Sequence, residues 1–88
     1  MYLHLGQSVV VRRSDIIGIF DLDNTSSSFR TRKFLEQAER EGRLISVFDD
    51  LPKSFVICQK PGEQAVIYLS QLLPATLRGR VENSSMEL

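Results

Sequence analysis

The sequence predicts a small α+β domain: a mostly antiparallel sheet, one main helix and a short C-terminal helix. Three observations carry that expectation. The chain has 88 residues, room for one domain and no more. Short β-branched or alternating apolar runs, bounded by polar or Gly/Pro turns, recur along its length. One stretch alone, residues 29–41, sustains a helical pattern over several turns.

Tyr2-Leu3-His4-Leu5 alternates and stops at Gly6, a short strand and a turn. Val9-Val10-Val11 is β-branched throughout and runs into Arg12-Arg13. Ile16-Ile17-Gly18-Ile19-Phe20 reads as a strand, and its unbroken apolarity predicts burial on both faces. Residues 21–28 are polar, with Ser27 or Ser28 placed to cap the helix that follows. In that helix Phe34, Leu35 and Ala38 share one face, Glu36–Arg40 and Glu39–Arg43 are i,i+4 pairs, and Gly42 suits the C′ position. Leu44 to Phe48 alternates as a strand, ended by the turn Asp49-Asp50-Leu51-Pro52. Residues 55–59 and 65–69 form a hairpin, with Pro61-Gly62 in the middle of a type II turn. Ser70 is positioned to cap a short helix from Pro74 to Arg80. The domain spans residues 1–80, and 81–88 is a polar tail expected to fray.

Eleven Lys+Arg balance eleven Asp+Glu, so net charge argues for neither nucleic acid nor membrane. Its distribution says more. Residues 30–43 carry a net +2, the largest excess of either sign, and they include the start of the main helix. Arg30, Arg32 and Lys33 sit in its first turn, behind Ser26, Ser27 and Ser28. Hydroxyls, helix N–H groups and guanidinium groups together make a candidate phosphate site, with a solvated helix face as the plain alternative. Arg12-Arg13 is a second small basic cluster with the same ambiguity.

No catalytic set, cofactor site or metal site is expected. One histidine, His4, without His or Cys partners does not make a zinc site and reads as a half-buried sheet residue. The single cysteine, Cys58, lies in an apolar run and reads as a small buried hydrophobe. An apolar strand followed by Asp21-Leu22-Asp23-Asn24-Thr25 resembles the nucleophile motif of haloacid-dehalogenase-like phosphatases. That chemistry needs Mg²⁺ and further carboxylates on a much longer sheet, and Asp49-Asp50 is the only acidic pair downstream. A strand ending in an Asx-type turn accounts for the same residues. MYLHLGQSVV has neither the basic start nor the apolar run of a secretion signal, and no apolar run nears a membrane span. The expectation is a cytoplasmic protein.

Several segments in order resemble one family. Met1-Tyr2-Leu3-His4-Leu5-Gly6, Val9-Val10-Val11 leading to Asp15 through Asp21, and Pro52-Lys53-Ser54-Phe55-Val56-Ile57 are similar to the RemA/RemB family of bacterial biofilm-matrix regulators, in its RemB (YaaB-like) branch. Ala38 to Leu44 looks like the family's helix end, and Ser70, Leu72, Pro74, Thr76 and Leu77 resemble its C-terminal segment. The resemblance implies a DNA-binding transcriptional regulator of extracellular-matrix genes, a LytTR-like fold, homo-oligomeric rings and no enzyme activity. It also implies DNA-contacting arginines before the Ile-Ile strand and in the turn before the later apolar strand. At those places this chain has Asp15 and Asp49-Asp50-Leu51-Pro52-Lys53. The candidate DNA contacts are therefore Arg12, Arg13, Arg30, Arg32, Lys33 and Lys53, with DNA and further copies of the chain as expected partners. The alternatives are an oligomeric protein-interaction module without DNA binding and a small Mg²⁺-dependent phosphatase.

Overall fold

A computed structural model describes residues 2–6, 9–22, 29–47 and 51–86, with side chains through 81. The fold is α+β with two sheets. The first is an antiparallel hairpin of β1 (Tyr2–Gly6) and β2 (Val9–Arg12). A 3-10 turn, Arg13–Asp15, leads into β3 (Ile16–Asp21). After it come α1 (Phe29–Arg40), β4 (Leu44–Ser46), β5 (Ser54–Cys58), β6 (Val66–Ser70) and α2 (Pro74–Met86). The second sheet has the order β3-β5-β6-β4. Its β3–β5 and β5–β6 pairs are antiparallel, whereas β4 runs parallel to β6.

That parallel pair follows from α1. The helix carries the chain from β3, at one edge of the sheet, to β4 at the other. A parallel strand needs such a crossover. Gly42, in the left-handed region at φ 73°, ends the helix, and Arg43 N–H donates to Ala38 O at 2.8 Å. Arg43 O then accepts from Ile67 N–H at 2.9 Å, which starts the β4–β6 register.

Strand alternation assigns the two faces of this sheet to different partners. One face presents Phe20, Phe55, Ile57, Ile67 and Leu69 to α1, whose Ala38 is fully buried. The other presents Ile19, Val56, Cys58 and Tyr68 to Leu3, Leu5 and Val11 of the hairpin and Leu77 of α2. Leu5 and Leu77 have no exposed surface, and burying each contributes about 1.5–3 kcal/mol. The hairpin and α2 thus form one outer layer, and α1 forms the other.

Several expectations are corrected. Unbroken apolarity belongs to a doubly covered strand, but that strand is β5, in the middle of the sheet. β3 is an edge strand, and its Ile17 is 60% exposed. The inward face of α1 carries Thr31, Leu35 and Ala38, whereas Phe34 is exposed. Arg43 pairs with Glu41 through Nη2 and, at 2.8 Å, through Nε, and donates to Ala65 O at 2.7 Å, instead of meeting Glu39. Ser70 caps no helix. It is fully buried, donates to Leu5 O at 2.9 Å and accepts from Leu72 N–H at 3.1 Å. α2 runs past Arg80 to Met86, where the sequence shows no helical period. The proposed cap, Ser27 or Ser28, lies outside the described residues. The Pro61-Gly62 turn forms as expected: Gly62 has φ 79° and Glu63 N–H donates to Lys60 O at 3.1 Å.

Candidate nucleic-acid interface

Arg12 and Arg13 stand where β2 hands over to β3. The 3-10 turn between them fixes their place, because Asp15 O accepts from Gln59 N–H at 2.8 Å. This turn therefore lies at the end of the sheet where β3 begins and β5 ends, the Ile16–Cys58 register. Arg12 is exposed and lines a concavity of about 450 Å³ with Lys60, Ser14 and Ile17. Arg13 is half-buried and shares a hollow of about 320 Å³ with Arg78, Gly18 and Ile19. Arg78 Nη2 also donates to Ile19 O at 2.9 Å. Arg12 and Lys60 thus share one hollow and Arg13 and Arg78 another, and both hollows border Ile16 at the start of β3.

The other candidates lie elsewhere. Lys53 N–H donates to Ser70 O at 2.8 Å, and Lys53 O accepts from Leu22 N–H at 3.1 Å. Those bonds hold Lys53 at the opposite end of the sheet, about 17 Å away along a five-residue strand. Arg30, Arg32 and Lys33 belong to α1, on the face away from the hairpin. All three are exposed, but they diverge. At 3.6 residues per turn, with Thr31, Leu35 and Ala38 inward, Arg30 and Arg32 point about 160° apart and Lys33 lies between them near the solvent crest. Lys33 Nζ sits 5.3 Å from the Phe29 ring centroid. Ser26, Ser27 and Ser28, the hydroxyl half of the expected phosphate site, lie outside the described residues.

The structure therefore sets Lys60 beside Arg12 and Arg78 beside Arg13, two residues that sequence reasoning did not select. Nothing local could have joined them. Lys60 opens a turn after β5 and Arg78 lies on α2, and only the β3–β5 pairing and the docking of α2 place them beside Arg12 and Arg13. Arg80 shows the same habit as Arg78, donating from Nη1 to His4 O at 3.1 Å.

The remaining chemistry-bearing residues are dispersed. His4 is exposed on the outer face of the hairpin, not half-buried as its strand position suggested. Asp21 ends β3, while Asp23 and the pair Asp49-Asp50 lie outside the described residues. Among the described residues no three His, Cys, Asp or Glu side chains converge as metal ligands. Cys58 is buried as expected, and its thiol is pushed up to about 11, by burial first and by the Asp15 charge second. No helix among the described residues is long and apolar enough to cross a membrane.

Residues 2–81 match the RemA-like family, described as extracellular matrix regulatory protein A-like. The chain is also similar to extracellular matrix regulatory protein B of Bacillus subtilis (strain 168), 33% identical over 82 residues. That match covers 93% of this chain and 91% of the relative. The shared region takes in every strand of both sheets, α1 and the first turns of α2, so the chain belongs to the RemA-like family of extracellular matrix regulatory proteins.

Proposed function

We propose that the chain is a cytoplasmic, DNA-binding transcriptional regulator of extracellular-matrix and biofilm genes, acting as a homo-oligomer and without catalysis. The observation that carries this reading is the two cation pairs bordering the start of β3, Arg12 with Lys60 and Arg13 with Arg78, in a chain whose relative is named as a matrix regulator. Phosphate is the ligand such pairs suit: guanidinium and ammonium groups contact the DNA backbone and set register without reading bases. A neutral protomer suffices, because repetition around an assembly links weak sites through effective concentration. Arg30, Arg32, Lys33 and Lys53 join the DNA surface where assembly sets the α1 side of one protomer beside the β3 edge of the next. The LytTR-type likeness belongs to the same reading.

The test is fluorescence anisotropy with duplex DNA over a salt series, comparing the wild type with Arg12→Glu/Lys60→Glu. Weaker binding to every sequence, with a shallower salt dependence, is the expected result. Unchanged affinity and slope would remove this edge from the DNA surface. The second reading, an oligomeric protein-interaction module without DNA binding, draws on apolar exposure in the same region: Tyr2 63%, Ile17 60% and Val10 41%. Absence of any salt-dependent DNA binding by the assembled wild type selects it.

A further inference from the structure

A cavity of about 420 Å³ opens between the outer hairpin and the β5–β6 turn, within the range of small-molecule sites. Its floor and walls include Asp15, Cys58, Val11, Val66, Tyr2 and Tyr68. Asp15 is the unusual member. It is only 8% exposed, yet its carboxylate makes no hydrogen bond or ion pair with any described residue. Among the described residues no fully enclosed side-chain oxygen lacks a partner, so the Asp15 oxygens reach open space, and the space that Asp15 lines is this cavity and its neighbour along β3. The turn that carries Asp15 is pinned by its bond from Gln59 N–H, so the backbone from which the carboxylate projects is held in place.

The Asp15 oxygens face this space with their acceptor positions open, and a ligand that donates to them there gains charge-assisted hydrogen bonds. We propose that this cavity binds a small planar zwitterion: an amidinium- or guanidinium-like head donating to Asp15, a conjugated body between Tyr2 and Tyr68, and an anionic end at the rim. The head must donate, because an ionised carboxylate only accepts, and a planar pair of N–H groups meets it bidentately. The anionic end follows from the rim, where Arg12 and Lys60 outweigh Glu63. The tyrosine rings supply flat, partly apolar walls to a body of that shape. A cavity sealed on its inner side by Val11 and Cys58, each 7% exposed, suits a small molecule better than a chain segment.

The inference is independent of DNA binding and is tested without it. The probe is para-amidinobenzoate, titrated into full-length protein and followed by amide chemical shifts and calorimetry. Saturable shifts at Val66 and Tyr68 are expected, with affinity at least about tenfold lower for Asp15→Asn and for the neutral-headed para-carbamoylbenzoate on the wild type. Lys60→Gln, an exposed turn substitution that leaves the core untouched, should weaken para-amidinobenzoate severalfold and leave benzamidine, which lacks the anionic end, unaffected. No saturable shift at millimolar probe, or equal affinity for the wild type and a folded Asp15→Asn, overturns the proposal. So does a wild type that ignores the probe while Asp15→Asn lowers the mass of an assembly, because Asp15 then receives a side chain of another copy.

Discussion

Gly18 shows how a single atom sets the α1-facing core. A Cβ built there would lie 2.6 Å from Phe20 Cε2, because the Phe20 ring folds back over the strand to stack on Phe55 with centroids 5.0 Å apart. Gly18→Ala should therefore cost about 1–3 kcal/mol by overpacking, read as a lower midpoint in urea at unchanged slope. An unchanged midpoint would mean that Phe20 has a second place for its ring. Cys58 gives a prediction in pH. Its thiol is an acid whose folded pKa, about 11, lies above the unfolded value near 8.5. Below both values the two states carry the same proton. Between them the unfolded chain ionises first, so stability falls as pH rises from about 8.5 towards 11. Tyr68, also raised by burial, adds to the fall in the same direction. Melting curves of Cys58→Ala should lose less stability over that window than the wild type, and an identical pH dependence would refute the assignment. At this scale the sequence was partly legible. A lone Cys in an apolar run implies burial by composition alone. The pairing of Ser54 with Ser70 across β5–β6, and of each with Leu72 or Leu5, involves partners far apart in sequence that no local pattern links.

Element existence was legible because it rests on local chemistry. The helix over Phe29–Arg40, the type II turn at Pro61-Gly62 and the hairpin it joins all follow from spacing and backbone preference. What spacing cannot reveal is which strands lie side by side. β3 and β5 both read as apolar runs, yet one is an edge and the other a centre, and that difference is decided by the α1 crossover. The same gap hid part of the candidate surface: Arg12-Arg13 was visible as a cluster, while Lys60 and Arg78 come beside Arg12 and Arg13 only through strand pairing and helix docking. For α1 itself, the first turn contains no acid and two cations, Arg30 and Arg32, with Lys33 opening the second. Arg32→Glu/Lys33→Glu replaces unfavourable dipole contacts with favourable ones, each about 0.3–1 kcal/mol. Against that stand the exposed Lys33–Phe29 contact, about 0.5–1 kcal/mol, and new repulsions of both introduced carboxylates with Glu36, about 0.2–0.5 kcal/mol each. The terms are of similar size and opposite sign, so thermal unfolding should move by no more than about 1 kcal/mol. A larger loss would show that these cations hold a partner in the folded protein.

For the whole molecule, the question is what the two open flanks of the larger sheet do. Among the described residues β3 pairs only with β5 and β4 only with β6. Exposed strand edges invite pairing with another chain unless blocked. Arg78 covers one carbonyl of β3, but Ile17 remains 60% exposed beside it, and Ile45 on β4 is 40% exposed. The expected state is therefore a homo-oligomer, seen by light scattering at micromolar protein as a multiple of the 10.0 kDa chain. A monomer mass would refute it. The charge reversals then act through the assembly. Arg12→Glu/Lys60→Glu should lower affinity alike for all DNA sequences. It should also reduce the slope of log affinity against log salt by about 0.9 for each phosphate no longer neutralised, multiplied by the protomers engaged. Arg32→Glu/Lys33→Glu, at matched stability, separates two geometries. If only the β3 edge faces the duplex, the helix variant keeps the wild-type slope. If assembly sets α1 of one protomer beside β3 of the next, both variants lose slope and the combined variant loses their sum. A helix variant that alone loses slope would move the DNA surface to α1 and leave the cations around β3 to hold the edge of the sheet.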